Sequence, residues 1–352
     1  MRMDALLSER FRFSDLSNIS HVKLSKIALD AKISVERKIR EGIYKFEDKP
    51  CFCGSNDSLI IAERDRYGLY YPVVICKQCG LIRVNPRMTS DAYQDFYSRY
   101  YRRFYGDDDY DKNELWSMRI EQGNDVFEFI KQNLPELSGT VFDIGCNMGT
   151  TLIPFWKNGF DVAGVDYGSE YIEYGKNRSG IENLYVGDIK RLLNLNKKAD
   201  LVILRYVLEH FLDLEEELRN IREIMKEGGY IYIEAPGTFW WIHNICSGNF
   251  MGVLQNAHAY QFSLTTLTYV MECSGFELVV GDEKIMAIFR KSETFRDKSD
   301  ITKNEFRRVV NYLHRIEKSY VRKQYIIRWL ELFHLKEPVK LVYYYLKKHR
   351  GK

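Results

Sequence analysis

The stretch Thr140-Val141-Phe142-Asp143-Ile144-Gly145-Cys146-Asn147-Met148-Gly149-Thr150 decides how the rest of the chain is read. Its β-branched and aromatic residues predict a strand, its small residues at alternate positions a tight loop, and the apolar spacing that restarts at Thr151 a helix. Gly145 and Gly149 leave room for a ligand to approach the backbone, and Asn147 tolerates the positive φ that such a loop needs. A pyrophosphate held on a helix N-terminus goes with the order G-x-G-x-x-G. Here the order is D-x-G-x-N-x-G, with Asp143 standing before the glycines. That acid repels an anion and favours a cation.

Working outward, similar segments recur. Asp161 to Asp166 reads as a second strand ending in an acid, 23 positions after Asp143. A carboxylate at that place can accept both ribose hydroxyls. Asn183 to Asp188 is a third strand ending in Asp188, and Ala199 to Arg205 a fourth, nearly continuous in apolar residues as the buried centre of a parallel sheet should be. Each of the three acids could instead cap the helix that follows it. The fourth strand leads into Tyr206-Val207-Leu208-Glu209-His210-Phe211 and an amphipathic helix, Leu214 to Met225. Ligands of open α/β sheets collect at the carboxyl ends of strands, where Glu209 and His210 fall. A glycine turn at Gly228-Gly229 and a fifth strand follow. Gly275 to Val280 and Ile285 to Phe289 fit a closing antiparallel hairpin.

The loop resembles the first motif of class I S-adenosylmethionine-dependent methyltransferases, D/E-x-G-x-G-x-G, with Asn147 in place of the middle glycine. The resemblance implies an α/β, Rossmann-like sheet of seven strands in the order 3-2-1-4-5-7-6. It places the cofactor against Asp143, Gly145, Cys146, Asn147 and Gly149, then Asp166 and Tyr167, Asp188 and Ile189, and Arg205. The segment L-E-H resembles the same position in many small-molecule and sugar methyltransferases. His210, with an ordinary pKa near 6.5, can take the proton of an alcohol as its oxygen attacks the sulfonium methyl, and Glu209 is the second catalytic candidate. Both residues could equally serve to orient the loop.

Nearer the N-terminus, Cys51-Phe52-Cys53-Gly54 and Cys76-Lys77-Gln78-Cys79-Gly80 form two cysteine pairs, each followed by glycine. They read as two knuckles around one structural Zn²⁺ held by Cys51, Cys53, Cys76 and Cys79; four unrelated thiols on a small hairpin are the alternative. Four sulfurs leave no open coordination position, so no catalysis is expected of the metal. With Leu81-Ile82-Arg83-Val84-Asn85-Pro86-Arg87 and Phe96-Tyr97-Ser98-Arg99-Tyr100-Tyr101, the order resembles zinc-containing methyltransferases that act on sugars in nucleotide-sugar, antibiotic and surface-polysaccharide pathways. The tyrosines and arginines could also stack on bases, or simply pack a helix on the main domain. His258-Ala259-Tyr260-Gln261-Phe262-Ser263 looks like that family's H-x-x-x-F-S element, which makes His258 and Tyr260 weaker acceptor-contact candidates. The insert Thr238 to Ala259, with Phe239, Trp240 and Trp241, reads as a lid or acceptor wall, with core packing as the alternative.

A chain of 352 residues with 45% apolar content can fill one large α/β domain with accessory pieces. No apolar run approaches the ~20 residues of a membrane span, and seven cysteines suit thiols or metal ligands in a cytoplasmic protein. The net charge of +3 conceals an asymmetry: Lys291 to Lys352 holds 17 basic and 7 acidic residues, hence +10 against −7 elsewhere. Basic residues around its aromatic end, Leu341 to Lys348, could sit on an anionic membrane surface or bind a polyanion, or the tail is a solvated helical extension or an oligomer contact.

The expected layout is a helical segment (1–47), a zinc-binding module (48–90), an aromatic linker (91–111), a methyltransferase domain (112–291) and a basic helical extension (292–352). The leading expectation is methylation of a sugar hydroxyl, on a small-molecule or glycan acceptor. Sugar C-methylation is weaker, because the resembled C-methyltransferases carry a large second α/β domain. A nucleic-acid methyltransferase is the runner-up, although Tyr206 to His210 replaces the N-P-P-Y-like element of enzymes that modify exocyclic amines. A cofactor-binding scaffold without turnover is the third reading.

Overall fold

The computed structural model describes residues 6–14, 20–105 and 111–333. Most of the acidic run 106–111 and the apolar end of the tail, 341–348, lie outside the described residues. Among the described residues thirteen strands follow one another: β1 (Phe46–Glu47), β2 (Ser58–Arg64), β3 (Tyr70–Cys76), β4 (Ile82–Val84), β5 (Arg87–Met88), β6 (Thr140–Ile144), β7 (Asp161–Asp166), β8 (Leu184–Val186), β9 (Ala199–Arg205), β10 (Met225–Glu234), β11 (Tyr260–Gln261), β12 (Phe276–Gly281) and β13 (Met286–Lys291).

Seven of them make the main sheet, in the order β12-β13-β10-β9-β6-β7-β8. Counted along the chain within this sheet, that is 6-7-5-4-1-2-3. β6 to β10 run parallel and β13 antiparallel to both of its neighbours. The near-continuous apolar strands are explained by helices on both faces. Phe142, Val202, Leu204 and Ile233 enter one core with Leu214, Leu218 and Ile221. Their neighbours Val141, Leu201, Ile203 and Tyr232 enter the other with Val126, Phe127 and Phe155. Each fully buried aliphatic side chain of this kind contributes roughly 1.5–3 kcal/mol.

Local chemistry sets the element ends. The helix Leu214–Ile224 starts where the Asp213 carboxylate accepts from Glu215 N and Glu216 N, and three glutamates in its first turn suit the positive end of the helix dipole. It buries Leu214, Leu218 and Ile221, one stripe at helical spacing. β10 begins at Met225 rather than after the glycines; Gly228 and Gly229 lie where its register with β9 shifts, between Met225 and Tyr230. In the segment 1–47 the helix covers Lys26–Arg40, with the Ser25 hydroxyl accepting from Ala28 N.

A second, antiparallel sheet has the order β11-β4-β3-β2. Its edge strand β11 comes from far along the chain: Tyr260 faces Arg83 and Gln261 faces Ile82. The insert after β10 packs on this sheet, the core-packing alternative to a lid or acceptor wall. Its Ile242, Phe250 and Met251 are buried with Leu59, Ile61 and Ile75 of this sheet, because seven- and three-residue strands cannot cover their own apolar face. The helix Glu305–Leu332 adds Phe306, Val309, Val310, Leu313 and Ile316 to the same core, so the first half of the basic tail is built into the fold. There the Ser263 hydroxyl donates to Glu305 Oε1 at 2.7 Å, and Arg10 Nε donates to Glu317 Oε1 at 2.6 Å. Among the described residues no helix is long and apolar enough to cross a membrane.

Candidate active site

The loop after β6 is wedged between the tips of β7 and β9. Gly145 N and Cys146 N both donate to Val165 O, at 2.8 and 3.0 Å. Gly145, Asn147 and Gly149 have φ of 74°, 51° and 70°, the left-handed region that glycine enters freely and asparagine tolerates. A Cβ on Gly145 would run into Val207 Cγ2. The Cys146 side chain turns away from the loop's open side, into the core against Gly164, so only its backbone can meet a ligand.

The three strand-terminal acids differ in their surroundings. Asp143 is buried, and desolvation pushes its pKa up to about 8, against the pull of the Arg205 guanidinium. The Asp166 carboxylate accepts from Asn147 N at 3.0 Å and from Gly168 N at 2.7 Å, thereby tying the loop to the start of the next helix. Asp188 Oδ1 accepts from Lys190 N at 3.0 Å, at the start of the short helix that follows. Tyr167 is exposed, its ring 6.4 Å from that of Tyr97, and Ile189 is buried in the main core. Arg205 donates from Nε to Glu234 Oε2 (2.7 Å) and from Nη2 to Gln122 Oε1 (2.9 Å), while the Tyr206 hydroxyl donates to Glu234 Oε1 (2.8 Å). Its charge is thus largely engaged within the protein.

Past the tip of β9, a 3₁₀ turn, Leu208–His210, presents two candidate groups. His210 Nδ1 lies 2.8 Å from Ala257 O. A carbonyl only accepts, so Nδ1 carries the proton and Nε2 keeps its lone pair. The rings of Tyr97 and Tyr101 stand edge-on to this imidazole at 5.9 and 5.7 Å, and the Tyr93 hydroxyl is 2.6 Å from Ala257 O. Desolvation pushes the His210 pKa down to about 4, so the ring is neutral at pH 7. Glu209 is buried with neither carboxylate oxygen hydrogen-bonded, and desolvation pushes its pKa up to about 8. His258 Nε2 lies 4.0 Å from Glu209 Oε1. A cavity of about 10 Å³, room for one water, adjoins Glu209, Thr238, His258 and Gln261, where Thr238 Oγ1 and Gln261 Nε2 also lack partners.

Residues 118–280 match a family model described as "Methyltransferase domain". These residues hold the loop, all three acids, Glu209 and His210. Those residues form a methyltransferase domain. The chain is 26% identical over 124 residues to the dTDP-3-amino-3,4,6-trideoxy-alpha-D-glucopyranose N,N-dimethyltransferase of Streptomyces venezuelae, covering 34% of this chain and 50% of that protein. It is 26% identical over 112 residues to a ubiquinone biosynthesis O-methyltransferase of Coxiella burnetii, covering 31% and 48%. The chain therefore spans about half the length of the curated relatives it matches. The solved structure of Streptomyces venezuelae DesVI aligns with a TM-score of 0.38 at 16% identity, over 51% of this chain and 96% of that one.

Before the methyltransferase domain in the chain, the four cysteines converge. Their sulfurs all lie within 4.8 Å of one another, with Cys51 Sγ to Cys79 Sγ at 3.6 Å and Cys53 Sγ to Cys76 Sγ at 3.5 Å. A tetrahedral ion with Zn–S near 2.3 Å requires S···S edges of about 3.8 Å, so the four thiols fit one. Gly54 and Gly80, at φ of 85° and 78°, close the two turns. Several groups around the methyltransferase site carried no sequence signal: Tyr93, Thr238, Gln122 and Glu234 belong to other elements and meet the strand tips only through folding.

Proposed function

We propose that the chain is an enzyme that transfers the methyl group of S-adenosylmethionine to a hydroxyl of a sugar, nucleotide-linked or part of a surface glycan, with His210 as general base. The observation that carries this reading is the His210 Nδ1 contact with Ala257 O, which leaves a neutral Nε2 lone pair at the carboxyl end of the central strand. Bound there, S-adenosylmethionine would supply an activated methyl on a sulfonium. The loop amides of Gly145 to Gly149 leave room for its aminoacyl end, Asp143 favours a cation, and Asp166 and Asp188 each retain acceptor capacity for the nucleoside. Tyr97 and Tyr101 wall the acceptor side and exclude water around the imidazole. The sugar class rests on the cysteine-and-tyrosine pattern, and on a relative whose name describes an amino-sugar methyltransferase.

The same reading gives Cys51, Cys53, Cys76 and Cys79 a structural Zn²⁺, closed to substrate by its four sulfurs. The test is transfer of a labelled methyl from S-adenosylmethionine to a panel of nucleotide sugars, beside RNA and DNA acceptors. Label on a sugar oxygen supports the proposal; label on nucleic acid alone, or heat-free titration with the cofactor and its demethylated product, refutes it.

A further inference from the structure

The helix Glu305–Leu332 has two unlike halves. Up to Glu317 it is held by the second core and by Arg10, whereas from Lys318 onward its side chains are half-buried or exposed. This second half carries an apolar stripe at four-residue intervals: Val321, Tyr325, Trp329 and Phe333 are 45, 63, 48 and 56% exposed, and Leu332 beside them 68%. The Tyr325–Trp329 and Trp329–Phe333 ring centroids are 6.4 and 4.8 Å apart, so the stripe is a continuous aromatic surface.

At about 100° per residue, Lys318, Arg322 and Arg328 lie within about 60° of Tyr325 around the helix, on both flanks of the stripe. Glu331 is the sole acid from Lys318 to Phe333. We propose that this half-helix lies flat on an anionic lipid bilayer, the stripe entering the headgroup boundary and the three flanking cations reaching phosphates.

Charge decides among the occupants. Two copies packed stripe to stripe would bring flanking cations against flanking cations. A phosphate backbone would satisfy the cations but leave Val321 and Leu332 in water. An anionic bilayer answers both features, because long basic side chains reach headgroups while aromatic and aliphatic groups sink beside them. From Lys318 to Lys352 the sequence has ten basic and two acidic residues, so the attraction continues along the chain. The inference concerns where the enzyme sits and stands whether or not the acceptor is a sugar.

The experiment is flotation of the full chain with phosphatidylcholine vesicles and with vesicles that also contain phosphatidylglycerol. Binding to the second kind only is expected, weakened roughly a hundredfold when Lys318, Arg322 and Arg328 are together changed to glutamine, since each cation adds about a fivefold preference. Trp329→Glu with Tyr325→Glu is expected to abolish it while cofactor binding, the control for folding, is unchanged. No binding to the anionic vesicles, or equal binding by the Trp329→Glu, Tyr325→Glu variant, overturns the proposal. So does a dimer by light scattering that these substitutions dissolve without any effect on vesicles.

Discussion

His210 Nδ1 and the carbonyl oxygen of Ala257, 47 positions apart in the chain, stand 2.8 Å from each other. The contact sets the imidazole's tautomer and points its free nitrogen away from the carbonyl. Replacing His210 by alanine should leave cofactor affinity within a factor of about two and slow turnover by about 10²-fold or more. Calorimetry with the demethylated cofactor and single-turnover methyl transfer check the two halves separately. Because burial holds the His210 pKa at about 4, below the ordinary 6.5, the ring's contribution to stability is complete above pH 6.5 and is lost as pH falls through about 4. The acid limb of the rate profile should lie in that lower range.

Asp143 without cofactor has a pKa near 8, because burial penalises its charge. A cation placed beside it favours the ionised form. Binding of S-adenosylmethionine at pH 7 should therefore release a proton. Titration heats measured in buffers of different ionisation enthalpy should differ for the native chain and converge for Asp143→Asn, which should also bind the cofactor more weakly.

Glu209 works in the other direction on stability. Its folded pKa, about 8, lies above the ordinary 4.5, so the stability it contributes is complete below pH 4.5 and is lost as pH rises through about 8. Across that window the loss runs at about 1.4 kcal/mol per pH unit. Glu209→Gln, neutral and of similar shape, should escape it. Denaturation midpoints of the two proteins should diverge in the variant's favour between about pH 5 and 8.

Loss of the zinc proposed for the cysteine cluster should act at a distance. Gly80 closes the second knuckle, and a Cβ there would come within 2.8 Å of Phe306 N, so the knuckle packs directly on the start of the C-terminal helix. Cys76→Ser should lose about one equivalent of zinc by elemental analysis and lower the melting temperature. Hydrogen exchange should quicken in Glu305–Leu332 as well as in β3 and β4, with less change in β6 to β9.

How far the sequence could be read depended on how local each signal was. The β6 loop was visible because Gly145, Asn147 and Gly149 report a backbone conformation, and that requirement is written in consecutive residues. The apolar run Ala199–Arg205 announced a central parallel strand for the same kind of reason. The insert after β10 reads equally as a lid, an acceptor wall or core packing, since three aromatics at Phe239 to Trp241 look alike whether they cover a substrate or a sheet. Folding places Phe239 and Trp241 against the core of the sheet whose strand β4 pairs with Tyr260 and Gln261.

By itself, then, the order of residues determined the strand–loop–helix unit, the acids at three strand ends, the two cysteine pairs and the basic character of the tail. Each is a property of neighbours in the chain. Tertiary structure decided which carboxylates keep their charge, which histidine nitrogen carries the proton, and how far the tail is buried. Those outcomes depend on desolvation and on partners such as Ala257, Glu234 and Arg10, which only a folded chain brings within reach.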